Sequence, residues 1–282
     1  MPEERLTKNE RREAARATAR AVREKAQKRE RMLKWVVPTS VSLAIVAIVA
    51  IVALVIVMNP AAPQSQAGPR NMASGGILFE GVEGVVTPVL SDAIPEGGTP
   101  TSTVFEDDGR AHIETYVDFA CPACASFEEA YGPTLLELVA SDQATIAYHP
   151  VAILDHAYAG GRYSTRSNNV GYCVANYAPD FFLPVMNQMF ALQPSEGTSG
   201  HTNAEIVDIV HGAGLENSDV DDCITTEYFA PALASLTEYQ TSLDALRPGG
   251  SFSTPTFVVN GEYWDRTVDL LDFIQGFITV TE

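Results

Sequence analysis

Ala111-His-Ile-Glu-Thr-Tyr-Val-Asp-Phe119 leads through Ala120 into Cys121-Pro122-Ala123-Cys124, and then into Ala125-Ser-Phe-Glu-Glu-Ala-Tyr131. The first segment is β-branched and aromatic and reads as a strand. The last reads as a helix. Pro122 then takes the first helical position, where its missing N–H costs nothing. Cys121 falls at the helix N-terminus, where unpaired N–H groups and the helix dipole favour an anion. Such a site lowers a thiol pKa and yields a thiolate, the form that attacks disulfides. A CxxC pair is also half of many zinc sites, but no second close Cys/His pair accompanies it, so no metal is assigned. A purely structural disulfide at this spacing stays open until the context is added.

That context lies near the other end of the chain. Ser253-Thr254-Pro255-Thr256-Phe257-Val258-Val259-Asn260-Gly261 sets a proline before an apolar strand and an Asn-Gly turn. A strand–CxxC–helix unit followed by a late Thr-Pro strand resembles the thioredoxin superfamily. The helix-rich stretch between the motifs narrows the resemblance to membrane-anchored DsbA-like thiol:disulfide oxidoreductases of bacteria. The resemblance covers roughly residues 104–282. It implies an α/β, thioredoxin-like fold with an inserted helical subdomain, preceded by one transmembrane helix. It implies that Pro255 is cis and faces the CxxC, and that the backbone of Thr254 pairs with substrate. Cys121 would be the attacking thiol and Cys124 the resolving one, with Pro122 and Ala123 as the intervening dipeptide. No organic cofactor is required, because the disulfide is itself the redox group.

Charge divides the chain unevenly. Residues 1–34 carry twelve Lys or Arg against six Asp or Glu, a net of +6, and the whole chain is at −18, which leaves −24 for residues 35–282. No lysine follows Lys34, and six arginines remain. Between the two regions, Val36 to Met58 holds no charged residue, a run of 23. As a helix it would span about 35 Å, enough for a bilayer. Trp35 suits the interface. The run is longer than a signal-peptide core, so we read 35–58 as an uncleaved signal anchor in contact with lipid. The basic segment 1–34 should stay cytoplasmic and the remainder should lie outside the bacterial cytoplasmic membrane, as a single-pass protein. Charges in the leader fall at helical spacing, yet we read it as a topology signal without fixed structure. It is too short and mixed for nucleic-acid binding. Residues 59–103 are rich in Pro, Gly, Ala, Ser and Thr and read as a tether. Within it, Gly76–Phe79 and Gly84–Leu90 could form a short hairpin added to the domain.

Thr145–Leu154 is the next strand expected, with His149 and His156 at surface or turn positions. Residues 157–245 are dominated by helical patterns and read as the insert. A hairpin starting at Phe257 and a helix over 268–277 close the domain.

Four cysteines lie outside the apolar run. On the outer side of a membrane thiols are expected to pair. With Cys121 and Cys124 matched, Cys173 and Cys223 remain, and we expect a structural disulfide between them. Closing a loop of about 51 residues would stabilise by roughly 4 kcal/mol. Two buried free thiols are the alternative.

Many superfamily members carry a buried acid six residues before the first cysteine, where this chain has Thr115. Glu114 and Asp118 are near but alternate to the other face of the strand, so the proton-transfer group stays unassigned. Ala123 brings no side-chain donor, so the lowering of the Cys121 pKa is expected to come mainly from backbone N–H groups. The function implied is disulfide donation to reduced or misfolded secreted and cell-envelope proteins. A membrane redox partner, such as a vitamin K epoxide reductase-like protein, is expected to reset the site. A disulfide isomerase or reductase would use the same residues. A non-enzymatic thioredoxin-fold binding module and a metal-delivery protein are the competing classes. Resistance of the CxxC to mild reduction would favour the binding module, and a Met or His set beside it the metal carrier.

Overall fold

The computed structural model describes residues 13, 16–32, 48, 64–101 and 108–279. The chain divides into two units, Met1–Ala61 and Ala62–Glu282. In the first, residues 16–32 form an exposed helix, α1. This corrects the expectation of an unstructured leader. Ala, Arg, Lys and Glu are strong helix formers, and Glu24 stands four residues before Lys28, a stabilising spacing. The expected membrane span, 35–58, lies outside the described residues apart from Ile48. Among the described residues no helix is long and apolar enough to cross a membrane.

The second unit is built on six strands: β1 (Ile77–Val82), β2 (Val85–Pro88), β3 (Ala111–Val117), β4 (Ala144–Pro150), β5 (Thr256–Val259) and β6 (Glu262–Tyr263). Their order is β2-β1-β4-β3-β5-β6. Only β3 and β4 run parallel, with Ile113 opposite Ile146, and the other pairs are antiparallel. The parallel pair is joined by α2 (Pro122–Ala140), as a parallel connection requires. Both hairpin turns place two successive residues at positive φ, Glu83-Gly84 and Asn260-Gly261, the backbone that two-residue hairpins need. The stretch read as a tether is thus partly sheet, since β1 pairs with β4, Ile77 opposite Tyr148.

All seven residues of β4 are buried, because strands flank it on both sides. This corrects the surface placement of His149, which is 1% exposed. Its ring stacks on Tyr116 with centroids 4.4 Å apart, and its Nδ1 lies 3.1 Å from Gln240 Nε2.

Between β4 and β5 lie α3 (Tyr163–Tyr177), α4 (Phe182–Ala191), α5 (Asn203–Gly212), α6 (Ser218–Thr225) and α7 (Ala230–Ser242), and α8 (Leu270–Gln275) follows the last strand. Thr202 and Glu205 form a capping box at the start of α5, and Asn217 caps α6. Cys173 on α3 and Cys223 on α6 are joined by a disulfide, Cα atoms 5.8 Å apart. The helices are fastened to the sheet by aromatic rings. Phe182 packs against Phe79 and Tyr148 with centroids 5.9 and 6.1 Å away, and Phe119 against Phe190 at 5.4 Å. Gly171 permits the close approach of α3, since a Cβ there would lie 3.2 Å from the Pro150 ring and 3.4 Å from Phe119.

Candidate active site

β3 ends at Val117, and the next residues turn sharply onto α2. Asp118 organises that turn. Its carboxylate accepts from the amides of Ala120, Ile153 and Leu154, from the Ser164 hydroxyl at 2.6 Å and from the Asn168 amide at 2.6 Å. The Asn168 side-chain oxygen in turn accepts from the Phe119 amide at 3.1 Å. Burial pushes the Asp118 carboxyl up, and the surrounding donors oppose that push. The Tyr158 hydroxyl donates to the Ala120 carbonyl at 2.9 Å. One strand end, the loop after β4, and α3 of the insert therefore hold the peptide that carries the cysteine.

Cys121 is the N-cap of α2 in extended conformation, and Pro122 is the first helical residue. The Cys121 amide donates to the Asp118 carbonyl at 2.8 Å, and the Cys124 amide donates to the Cys121 carbonyl at 3.0 Å. Thr254 and Pro255, joined by a cis peptide, come to the same place from the other end of the sequence. The Cys121 thiol donates to the Thr254 carbonyl at 3.5 Å. The two cysteines are free, with no disulfide between them. Cys121 is the more accessible, but at 6% exposure it is far less open than a free helix start, and Cys124 is fully buried.

The two thiols differ electrostatically. Cys121 is lowered to about 6, chiefly by the hydrogen bond from the Cys124 thiol, against the cost of burial, with help from the Thr254 side chain and the amides of Cys124 and Ala123. Backbone donors are thus not the main cause, contrary to expectation. The neighbouring thiol outranks them because it can point its S–H at the thiolate. Cys124 is raised well above an ordinary thiol by burial and by the Cys121 thiolate beside it. The opposite directions of the two shifts favour the thiolate on Cys121 and the proton on Cys124.

Thr115 is fully buried, and its hydroxyl has no hydrogen-bond partner among the described residues. Glu128, four residues after Cys124 and on the same face of α2, carries no local signal in the sequence. Burial pushes its carboxyl up to about 7, against a 3.3 Å hydrogen bond donated by the Tyr148 hydroxyl. Its Oε1 is buried without a hydrogen-bond partner among the described residues. It borders a groove of about 770 Å³ between α2 and α4, walled by Pro133, Leu136, Met186 and Phe190. Gly132 leaves room for the carboxyl, since a Cβ there would lie 3.1 Å from Glu128 Oε2. Among the described residues no cluster of three or more His, Cys, Asp or Glu is arranged to hold a metal.

A thioredoxin-like sheet, a CxxC at a helix start and a Thr-Pro loop against its first sulfur define a thiol:disulfide oxidoreductase. Residues 104–275 match the Thioredoxin family, and the chain belongs to it. Among solved structures it is similar to reduced DsbA from Mycobacterium tuberculosis, at 25% identity and TM-score 0.54, covering 72% of this chain and 92% of that one. The oxidised form of that protein matches at 25% identity and TM-score 0.53, covering 71% and 92%. A curated relative, the serine/threonine-protein kinase PknE of Mycobacterium tuberculosis, is 28% identical over 168 residues, 58% of this chain. The match spans 28% of that kinase's own length.

Proposed function

We propose that this oxidoreductase donates disulfides to reduced secreted or cell-envelope proteins on the outer side of the bacterial cytoplasmic membrane. The observation that carries the reading is the placement of the two thiols, Cys121 at the N-cap of α2 and Cys124 fully buried one turn on, which lowers Cys121 to about 6 and raises Cys124. A stabilised Cys121 thiolate favours the reduced pair and so makes the Cys121–Cys124 disulfide a better donor. Similarity to DsbA and the uncharged, apolar run at 36–58 support the compartment.

In the forward reaction a client thiolate attacks Cys121 Sγ and the Cys121–Cys124 bond breaks. The departing Cys124 sulfur takes a proton, and a client–Cys121 mixed disulfide remains. A second client thiolate then attacks the client sulfur of that bond. Cys121 leaves as a thiolate, which the Cys124 thiol and nearby amides stabilise. The client has lost two electrons and the enzyme has gained them. A membrane redox partner, such as a vitamin K epoxide reductase-like protein, would reoxidise the pair. Thr254 lines the side of Cys121 along which an extended client chain would lie.

Oxidised protein is mixed with an equal amount of a reduced, unfolded client carrying two cysteines. The reading expects the client to gain its disulfide as Cys121 and Cys124 become titratable, one pair for one pair. If the client stays reduced while scrambled disulfides are rearranged or reduced by the same protein, the isomerase or reductase reading replaces this one.

A further inference from the structure

Six arginines follow Lys34 in a region of net charge −24. Arg110 pairs with Asp108 and Asp142, Arg162 with Glu227, and Arg247 with Asp244. Arg70 donates to the Asn176 carbonyl, and Arg166 donates to the carbonyls of Gly161 and His201 and to the Asn203 side chain. Arg266 is exposed and, like Arg70 and Arg166, has no carboxylate partner among the described residues; what sets it apart is its place beside the cysteine site, on the cis-Pro255 segment. Its guanidinium donates to the Pro255 carbonyl at 3.1 Å and lies 5.8 Å from the centroid of the Trp264 ring. Trp264 is itself fixed, since its indole N–H donates to the Val268 carbonyl at 3.0 Å and its ring packs on Phe127 and Phe257.

The backbone is bent to make this placement. Arg266 sits at φ 64°, the left-handed region that a long side chain rarely adopts. The neighbouring acids do not neutralise it. Asp265 turns onto the amide and hydroxyl of Thr267 at 2.9 and 2.6 Å, and Asp269 accepts from the Leu271 amide at 2.9 Å to start α8. A guanidinium has five N–H donors, and one of these is used on Pro255. The remainder form a planar fork suited to a carboxylate.

We propose that Arg266 is a subsite for a carboxylate side chain of the client, close to the client cysteine that bonds to Cys121. Thr254, whose carbonyl meets Cys121 Sγ, directly precedes Pro255, whose carbonyl meets Arg266. Two residues of extended chain span about 7 Å, so a Glu or Asp about two positions from the client cysteine reaches the fork. The subsite rests on the reading that this site exchanges disulfides with proteins, but not on the direction of exchange.

Mixed-disulfide formation in a Cys124→Ser background is indifferent to that direction and so separates the two readings. Two blocked peptides, each carrying one cysteine as its 2-pyridyl disulfide and either Glu or Lys two residues from it, compete for Cys121; the Cys121 thiolate attacks the peptide sulfur, pyridine-2-thione leaves, and the peptide adducts are counted by mass. Arg266→Gln should lower the acidic-to-basic adduct ratio by about fivefold at low salt, the upper range for an exposed ion pair. Arg266→Lys should keep part of the preference, and added salt should shrink it. A ratio in Arg266→Gln within twofold of the parent overturns the subsite. That includes the case in which both adducts weaken together, which would make Arg266 only a prop for the loop.

Discussion

The unequal thiols make the stability of the reduced protein depend on pH in a way the oxidised protein's does not. Cys121 falls from 9.0 to about 6 on folding. A depressed pKa contributes stability that is fully present above the unfolded value and is lost as pH falls through the folded one. At pH 7 the folded thiol is about nine-tenths ionised, while an ordinary thiol is about one-hundredth ionised. That difference is worth on the order of 1 kcal/mol, or a few tens of millivolts for a two-electron couple. The contribution is near zero at pH 5 and roughly 2–3 kcal/mol at pH 8. Groups that titrate in both redox states, Glu128 among them, cancel when the two states are compared. Urea unfolding of reduced and oxidised protein at both pH values should show the reduced form gaining roughly 2–3 kcal/mol on the oxidised between pH 5 and pH 8. Cys121→Ala, unfolded alongside the reduced parent, should lack this gain. A difference between redox states that stays constant over that range would refute the thiolate assignment. Iodoacetamide alkylation of Cys121 in the native protein, followed against pH, checks the same midpoint near 6.

Glu128 should act with the opposite sign. Its pKa is raised from 4.5 to about 7, so the oxidised protein loses about 3 kcal/mol as pH rises through that window, and Glu128→Gln should not. Parallel urea curves for parent and variant across pH 4–8 would contradict the buried acid. Removing the Cys173–Cys223 bond, as the double Ser variant, should cost roughly 4 kcal/mol of unfolding free energy, and a loss under 1 kcal/mol would show that this loop gains little from closure. Protease added to spheroplasts should digest the Ala62–Glu282 unit, and its survival behind a sealed membrane would reverse the proposed orientation.

The parts of the site that were legible in the sequence are local. Strand, turn and helix are adjacent in the chain, and Pro122 marks the helix start by its own covalent geometry. The two hairpins were legible through Asn260-Gly261 and the apolar residues around Gly84 for the same reason. What stayed hidden depends on distant partners. The Asp118 carboxylate is satisfied by Ser164 and Asn168, which lie 46 and 50 residues on, so its role cannot be read from its neighbours in the chain. Glu128 lies on a helix whose periodicity is weak, and a glutamate there reads as a solvated position until α4 and Tyr148 cover it. His149 was misplaced because pairing of β1 with β4, which buries its strand from the second side, uses residues that composition assigned to a tether. The helix over 16–32 was undervalued because its stabilising pairs are charged and exposed.

The claim that exchange passes through Cys121, with Cys124 behind it as the resolving thiol, is tested most directly by trapping. Cys124→Ser and Cys121→Ser proteins are each offered a client disulfide, the reaction is quenched with acid, and adducts are mapped by mass. Cys124→Ser should accumulate mixed disulfides at Cys121, and Cys121→Ser, whose remaining thiol is fully buried and raised well above an ordinary one, should trap little. Equal accumulation by the two variants, or adducts mapped to Cys124, would contradict the account.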